Sequence, residues 1–540
     1  SYFRVKTSPI ILGDMSAVRD KGAEYLSNNY NWPVSTQEFI EFDSEINECY
    51  VKLLTDLDDS PMYDIALVEL SFVSHLVQIF HYNYVKEYAI ENNVELLSGL
   101  DSYHYRCPNW EKLGSFYSDI EYPFGIVKRF IRRIIKNVFF NRHITLFNFI
   151  TNVVFGREKI ISIGSNDPIR HKFIVESNYF CDNREWIDLI QNKDVIGIDV
   201  NIEQEVDLIV KKVINPFLVN LRKHKSFFIK NIDFDEIKKI WIKRISDITV
   251  IYYNLYRIKK KPNKLLVTEV AKPLHKLITL AFQRDGVEVF CFHHGNDASY
   301  SQYRHSHEMT VSHCQYFLVP TKGIAKRYDR DYSHIPIEKR SNTKYISVED
   351  NSLYKAFIEN KKVKKRPVVN RIMIMGYPAN SNRYASENGL FFYQKVDLEY
   401  RLINFLKNNG YYVIYKAHPD RLREVQGLFN NLVDEYIIEK FENVWHKADV
   451  FIFTYTSTST FGYSLVTNRP ILLLDNAKKC RNLSDYFLLK NRVNIIETDT
   501  RTNTRIIFDK HKLLKTLKHT HHDMTNEDSY VKEIFNSNTI

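Results

Sequence analysis

The chain has 540 residues, of which 44% are hydrophobic and 26% are charged, a balance typical of folded globular proteins. Its net charge of +10 favours an anionic partner, and the lack of any RNA- or DNA-binding motif argues against nucleic acid. The six cysteines are scattered without a CxxC pair, which argues against a zinc site and predicts reduced thiols. The first residues show no signal-peptide pattern and no apolar run reaches about 18 residues, so we expect a cytoplasmic protein without a transmembrane helix.

The first part of the chain, residues 1–157, is predicted to be mostly helical. A largely apolar stretch from Asp64 to Phe80 follows the break at Pro61 and predicts a buried helix. The segment from Gly125 to His143 alternates basic and apolar residues, and helical spacing places them on different faces. We expect its apolar face to pack on the core and its basic face to be solvated. The alternative is a helix that lies on an anionic membrane surface.

From residue 158 to about 358, strand and helix patterns alternate, which predicts a parallel, doubly wound sheet. The predicted strands are Lys159–Ile163, Asp194–Val200, Lys264–Thr268, Val287–Phe292 and Tyr316–Pro320. The predicted helices are Glu203–Asn215, Asp235–Tyr256 and Pro273–Asp285.

A charged, weakly apolar join at residues 359–367 predicts a domain boundary. A second alternating series follows over 368–518, and we expect the polar tail, 519–540, to be frayed. The predicted strands are Arg371–Met375, Tyr411–Tyr415, Tyr436–Ile438, Val450–Phe453, Ile471–Leu474 and Val493–Ile496. The predicted helices are Val396–Asn408, Leu422–Leu432, one that starts at Thr460, and Leu513–Lys518.

Two polar motifs follow strands of this second series. His418-Pro419 comes after the Tyr411 strand and Lys416, and Pro419 disfavours a helical conformation at His418. A hydroxyl-rich loop follows the Val450 strand and opens a helix, where the helix dipole and backbone N–H groups favour anions. The loop residues are Thr456, Ser457, Thr458, Ser459 and Thr460. Together the motifs predict a phosphate site at the carboxyl edge of a sheet.

These motifs resemble the HP and S/T motifs of bacterial sialyltransferases, capsular Kdo transferases and related CMP-sugar glycosyltransferases of capsule and lipopolysaccharide biosynthesis. The resemblance covers about residues 371–500 and implies the GT-B fold: α/β, two Rossmann-like domains with a central cleft, here with a helical N-terminal extension. Residues 1–157 would then belong with the acceptor domain, 158–358, and 368–518 would bind the donor. Teichoic-acid glycerophosphotransferases, which use CDP-glycerol, share a similar layout. Both resemblances imply a cytidine nucleotide, and GT-B enzymes need no metal and no cofactor besides the donor.

Further candidate residues lie in other loops. Arg383 could neutralise donor phosphate, with Lys416 beside the HP motif. His294, in a His-His-Gly stretch after the Val287 strand, resembles the general base of glycerophosphotransferases. Retaining Kdo transferases carry Asp where this chain has His294, so Asp297 or Glu269 could instead act as a nucleophile. The choice among these three catalytic candidates stays open.

The resulting hypothesis is a glycosyltransferase that moves an acidic sugar, Kdo-like or nonulosonic, from a CMP donor to a bacterial surface polysaccharide or lipid-linked glycan. It would be cytoplasmic and peripheral to the inner face of the membrane, with no metal. The alternatives are a CDP-glycerol-type glycerophosphotransferase, a nucleotide-sugar epimerase, and a non-catalytic polysaccharide-binding or assembly protein.

Overall fold

The computed structural model describes most of the chain. The described residues are 9–57, 59–98, 126–141, 159–164, 167–177, 179–190, 200–258, 261–268, 270, 273–292, 313–332, 343–376, 392–418, 425–456, 458–475, 483–499, 504–520 and 528–536.

The N-terminal region is a set of helices with one small parallel sheet. Its strands are β1 (Ile10–Leu12) and β2 (Glu95–Leu97). Its helices are α1 (Met15–Lys21), α2 (Ala23–Asn28), α3 (Thr36–Leu54), α4 (Pro61–Val68), α5 (Leu70–Glu91) and α6 (Ile126–Asn141). Within the described residues, one helical stretch, Pro61–Glu91, is long and apolar enough to cross a membrane, but 89% of its apolar window is buried inside the protein, as in a core helix.

The first large sheet has six parallel strands in the order β4-β3-β5-β6-β7-β8. The strands are β3 (Lys159–Ile163), β4 (Phe180–Arg184), β5 (Lys264–Thr268), β6 (Glu288–Phe292), β7 (Tyr316–Val319) and β8 (Lys344–Ser347). The helices are α7 (Pro168–Ser177), α8 (Trp186–Ile190), α9 (Val200–Ile209), α10 (Asn215–Lys223), α11 (Phe234–Tyr256), α12 (Pro273–Arg284), α13 (Lys322–Tyr332) and α14 (Ser352–Asn360). A π-helical turn, Val210–Ile214, joins α9 to α10, and a 3-10 turn, Phe227–Ile229, precedes α11.

The second large sheet also has six parallel strands, in the order β11-β10-β9-β12-β13-β14. The strands are β9 (Arg371–Met375), β10 (Tyr412–Lys416), β11 (Glu435–Ile437), β12 (Val450–Phe453), β13 (Ile471–Leu474) and β14 (Asn494–Ile496), with a small antiparallel pair, β15 (Thr498–Asp499) and β16 (Ile507–Phe508). The helices are α15 (Phe392–Asn408), α16 (Phe441–Val444), α17 (Ser459–Ser464), α18 (Leu483–Arg492), α19 (Lys510–His519) and α20 (Ser529–Phe535), with a 3-10 turn at Trp445–Lys447.

The predicted α/β class with two Rossmann-like domains and a helical N-terminal extension is confirmed, and this is the domain plan of the GT-B fold. Both sheets have buried strands such as β12, whose four residues are all inaccessible. When helices cover both faces of a parallel sheet, its strands are buried on both sides, and their sequences are therefore continuous apolar runs. The strand order of the second sheet is that of the dinucleotide-binding Rossmann fold.

The N-terminal helices contact both domains. Buried Glu69, between α4 and α5, accepts hydrogen bonds from Arg244 of α11 at 2.8 and 2.9 Å. On the other side, Ser27 of α2 donates to Asp397 of α15 at 2.9 Å, and Arg505 also binds that carboxylate. Moving the N-terminal helices away from either domain would leave a buried charge without its partner, which is costly. These contacts therefore hold the N-terminal helices in place on both domains.

The end of the chain contains a helix that the sequence did not predict. The tail from residue 519 was expected to be frayed, but α20 buries Val531, Ile534 and Phe535. Thr321, before α13 of the first domain, donates to the carbonyl of Ile534. Asp528 lies 4.0 Å from Arg492 of α18 in the second domain. The expectation of a frayed tail is therefore wrong for this segment, which joins the two domains.

Two further local predictions are wrong or lie outside the described residues, and two strands of the first sheet were not predicted. The helix predicted from Leu422 to Leu432 is replaced by turns over 426–432, because Gly427 adopts a left-handed φ of 85° that ends a helix. The strand predicted from Asp194 to Val200 lies outside the described residues up to 199, and residue 200 begins α9. The two edge strands of the first sheet, β4 and β8, were not predicted from the sequence.

The orientation of α6 also differs from the expected one. The helix was expected to pack its apolar face on the core, but Ile131, Ile134, Ile135 and Val138 are exposed. A column of three polar side chains, Arg133, Asn137 and Asn141, contacts β4 instead, for example through the bond from Arg133 to Asp182. The expectation of a core-packed apolar face is therefore wrong.

Candidate functional site

The candidate donor site lies at the carboxyl ends of β10, β9 and β12, where the second sheet reverses its strand order. The chain leaves β9 toward β10 and later returns to the other side of β9 as β12. Such a reversal leaves a crevice at the carboxyl ends of the strands, and ligands of open α/β sheets bind there. The two motifs of the sequence analysis follow the two strands that flank β9.

Gly376 connects these three strand ends. Its backbone N–H donates to the carbonyl of Lys416 at 3.0 Å, and its own carbonyl accepts from the Tyr455 hydroxyl at 3.1 Å. A Cβ atom at this position would lie 2.6 Å from Cζ of Tyr415, so no other residue fits without a shift. The close approach of the three ends therefore depends on the glycine.

Lys416 and His418 lie at the end of β10. Lys416 is 4% exposed, and its Nζ donates to the carbonyl of Ala417 at 2.6 Å. Burial lowers the pKa of Lys416 to about 8, against the opposing effect of Glu442 and Glu439. His418 is partly buried, and its Nδ1 is inaccessible to solvent. The lysine thus places a positive charge at neutral pH beside the HP motif.

The hydroxyl-rich loop follows β12. Thr456 is fully buried, and its carbonyl accepts from the Thr458 N–H at 2.7 Å. Thr458 is the N-cap of α17, and its hydroxyl accepts from the Thr460 N–H at 3.3 Å. Ser459 is exposed at the first position of that helix. The predicted placement of hydroxyls at a helix start thus holds for these residues, while their binding of nucleotide stays a prediction.

A buried lysine that was not among the predicted residues lies beneath the loop. Lys395 of α15 is 1% exposed and donates to the carbonyl of Thr454, the residue that follows β12. Burial lowers its pKa, while Asp475 at the end of β13 and Glu399 one turn later oppose the shift. Lys395 and Glu399 stand at i and i+4 in the helix, a spacing that is typical of a solvent-exposed pair of charges, so nothing in the sequence signalled their burial.

The corresponding edge of the first sheet is closed by a buried arginine. Arg170 of α7 donates to the Ser162 hydroxyl and to the carbonyl of Gly164, both at 2.7 Å, and to Asn183. Burial lowers the pKa of Arg170 to about 10. Gly164 adopts a φ of 124°, and a Cβ there would lie 2.6 Å from Cβ of Thr268. Among the described residues of this edge, the guanidinium of Arg170 is thus bound by protein groups.

The remaining predicted residues lie outside the described residues. They are the catalytic candidates Glu269, His294 and Asp297, and the donor candidates Arg383, Pro419 and Ser457. Of the described donor candidates, Lys416 and His418 lie at the end of β10 and Thr458, Ser459 and Thr460 follow β12, the two strands on either side of β9. Among the described residues, no group of three His, Cys, Asp or Glu side chains could hold a metal ion, and Cys49, Cys181, Cys291 and Cys314 are free thiols.

Comparisons with known proteins give structural neighbours only. No family model matches the sequence, and no curated protein matches it. A UDP-GlcNAc 2-epimerase from Methanocaldococcus jannaschii, solved with UDP-GlcNAc and UDP, is 11% identical over 70% of this chain and 97% of its own, with a TM-score of 0.37. MurG from Acinetobacter baumannii is 9% identical over 70% of this chain and 94% of its own, with a TM-score of 0.32. At these values the fold assignment rests on the strand order described above.

Proposed function

We propose that this protein is a metal-independent GT-B glycosyltransferase that transfers an acidic, Kdo-like or nonulosonic sugar from a CMP-activated donor to a bacterial surface polysaccharide or lipid-linked glycan. The observation that carries the proposal is the joint placement of the HP motif and the Thr/Ser loop on either side of Gly376. Both follow strands that flank the reversal of strand order in the second sheet.

In this proposal the donor phosphate lies over Gly376. The small residue lets a ligand approach the backbone, and the charge of Lys416 attracts the phosphate. His418 would donate a hydrogen bond to a phosphate oxygen, and the hydroxyls of Thr458 and Thr460, with Ser457 and Ser459, would bind the remaining oxygens. As the sugar departs, negative charge grows on the phosphate, and these fixed donors stabilise it, aided by Arg383.

The acceptor side of the reaction rests on the sequence. His294 would take the proton from the acceptor hydroxyl, because a histidine of near-neutral pKa suits a general base. If Asp297 or Glu269 reaches the donor carbon, a covalent intermediate would form instead and the anomeric configuration would be retained. The configuration of the product separates these two routes.

The test is thermal stabilisation by CMP, CDP, UDP and GDP, since a ligand that binds the folded state raises its melting temperature. We expect CMP to give the largest shift, of a few degrees at saturation. A larger shift with CDP would favour a CDP-glycerol-type glycerophosphotransferase. A preference for UDP would refute a cytidine donor and leave a UDP-sugar epimerase as the better hypothesis.

The matched pair of variants is His418→Ala and His446→Ala. His446 is exposed in the same domain but precedes β12, at the opposite edge of the sheet. We expect the first variant to lose the CMP shift and the second to keep it. If both keep the shift, the nucleotide does not bind at the HP motif.

A further inference from the structure

The surface helix α6 packs on the protein with its polar face. Arg133 forms a bidentate pair with Asp182 of β4, with N–O distances of 2.8 to 3.0 Å. Asn141 donates to the carbonyl of Cys181 at 2.7 Å and accepts from its N–H at 2.8 Å, while Asn137 accepts from the Asn183 N–H at 2.7 Å. Because β4 is an edge strand of the first sheet, these side chains complete backbone hydrogen bonds that no neighbouring strand provides.

These contacts fix the rotation of the helix about its axis. Positions 133, 137 and 141 recur every four residues, so they form one column along the helix and that column faces β4. The pair between Arg133 and Asp182 is reinforced by Lys159 and Arg184, which also bind the same carboxylate. Turning the apolar face inward would break all of these bonds, so its exposure follows from the way the helix is anchored.

A second face of α6, beside the anchoring column, is apolar and exposed. Ile131, Ile134, Ile135 and Val138 are 52%, 48%, 63% and 68% exposed. Proteins in water rarely expose a contiguous patch of large aliphatic side chains without a partner. Beside this patch lies a basic column, Lys128 and Arg132, both exposed and one helical turn apart. The helix therefore has three faces: a polar anchor, an aliphatic face and a basic rim.

We propose that the outward face of α6 docks onto a bilayer surface that contains anionic lipid headgroups. The aliphatic side chains would enter the boundary between headgroups and acyl chains, and Lys128 and Arg132 would lie among the headgroups. Charge favours this occupant over a second copy of the chain. Two copies that packed these faces together would bring their basic rims close, and each chain already carries a net charge of +10. The inference does not depend on the proposed reaction.

The test is co-flotation of the purified full chain with vesicles. We expect binding to vesicles of phosphatidylglycerol mixed with phosphatidylcholine, weaker binding to pure phosphatidylcholine, and loss of the difference at high salt. The double variant Ile135→Glu with Val138→Glu should lower the partition coefficient at least tenfold. The matched control is Ile90→Glu, at the end of α5, where an isoleucine is 75% exposed and should not affect binding.

A second measurement distinguishes the rival occupants. Because the substituted side chains are exposed, the melting temperature of the double variant should match that of the wild type. Sedimentation velocity should give the same oligomeric state for both proteins. Oligomers that dissociate in the double variant, with no vesicle binding by the wild type, would overturn the proposal in favour of an interface between copies. Absence of vesicle binding without any change in assembly would overturn it in favour of cover by another part of the chain.

Discussion

The two large sheets are built alike but differ at the point where each reverses its strand order. In the first sheet, between β3 and β5, Gly164 meets Thr268, and the guanidinium of Arg170 donates to three protein groups. In the second sheet, between β9 and β12, Gly376 meets Tyr455, and the nearby cation is Lys416, which donates to the carbonyl of Ala417. Burial lowers the pKa of Arg170 to about 10 and that of Lys416 to about 8, so only the second edge has a cation whose charge changes close to neutral pH. A reversal of strand order alone does not make a ligand site. The polar groups around the reversal determine whether a ligand can bind there.

The largest expected effects come from the two glycines. Gly376→Ala and Gly164→Ala each force a methyl group against a packed neighbour, and overpacking of this kind costs about 1 to 3 kcal/mol of unfolding free energy. We expect both variants to melt earlier. Only Gly376→Ala should also lose the stabilisation by CMP, because only that edge is assigned to the donor. Chemical denaturation with and without CMP measures both quantities.

If Gly164→Ala also lost CMP binding, the edge of the first sheet would take part in donor binding, which would contradict the assignment of the donor to the second sheet alone. Tyr415→Phe in the Gly376→Ala background is the internal check. It removes the hydroxyl and its hydrogen bond to Glu399 at 2.8 Å, but the ring carbon Cζ stays 2.6 Å from the new Cβ atom, so it should not restore the stability that Gly376→Ala loses.

The same comparison shows what the sequence could and could not predict. The inner strands of both sheets are largely apolar, so the parallel α/β architecture was readable from β9, β12 and their neighbours, whereas the more polar edge strands β4 and β8 were not predicted. The motif after β12 was visible as a row of hydroxyls, but Lys395 beneath it was not, because a lysine inside an amphipathic helix usually faces solvent. The burial of Lys395 follows from the packing of α15 against the strand ends, which is a tertiary property.

The error at α6 has a similar cause. Helical periodicity identified two faces correctly but could not say which one faces the protein. The assumption that apolar side chains turn inward failed because the neighbour of α6 is the open edge of β4, which offers unpaired backbone groups. Arg133 and Asn141 match that edge, and isoleucines do not. The three polar residues at spacings of four were the signal that sequence reasoning overlooked.

The next effect in size concerns pH. Since burial lowers the pKa of Lys416 to about 8, its charge is present at pH 7 and lost by pH 9. We expect CMP to bind roughly tenfold more weakly at pH 9, corresponding to about 1.4 kcal/mol, from the loss of one charge-assisted contact. Isothermal titration calorimetry on the wild type and on Lys416→Met measures this, and the variant should show a smaller dependence. An equal dependence in both proteins would assign the titration to another group.

The stability of the protein without nucleotide should change with pH in the opposite direction to CMP affinity. The folded-state pKa of Lys416 lies below the usual value of about 10.4, so between about pH 8 and pH 10.4 the unfolded chain binds more protons than the folded one. The contribution of this lysine to the unfolding free energy therefore rises with pH across that window. Below about pH 8 its burial penalty is fully present. The difference in stability between Lys416→Met and the wild type should accordingly shrink from pH 7 to pH 10.

The smallest expected effect tests the hydroxyl loop against an ordinary helix cap. Thr458 caps α17, and Asp509 caps α19 by accepting from the Lys512 N–H at 2.9 Å. Replacing a cap by alanine costs about 1 kcal/mol, so Thr458→Ala and Asp509→Ala should lower stability by similar amounts. If Thr458 also binds the donor, its variant alone will lose affinity for CMP severalfold. Equal CMP affinity in the two variants would reduce Thr458 to a structural cap, and the anion site would then consist of Lys416, His418 and the backbone around Gly376.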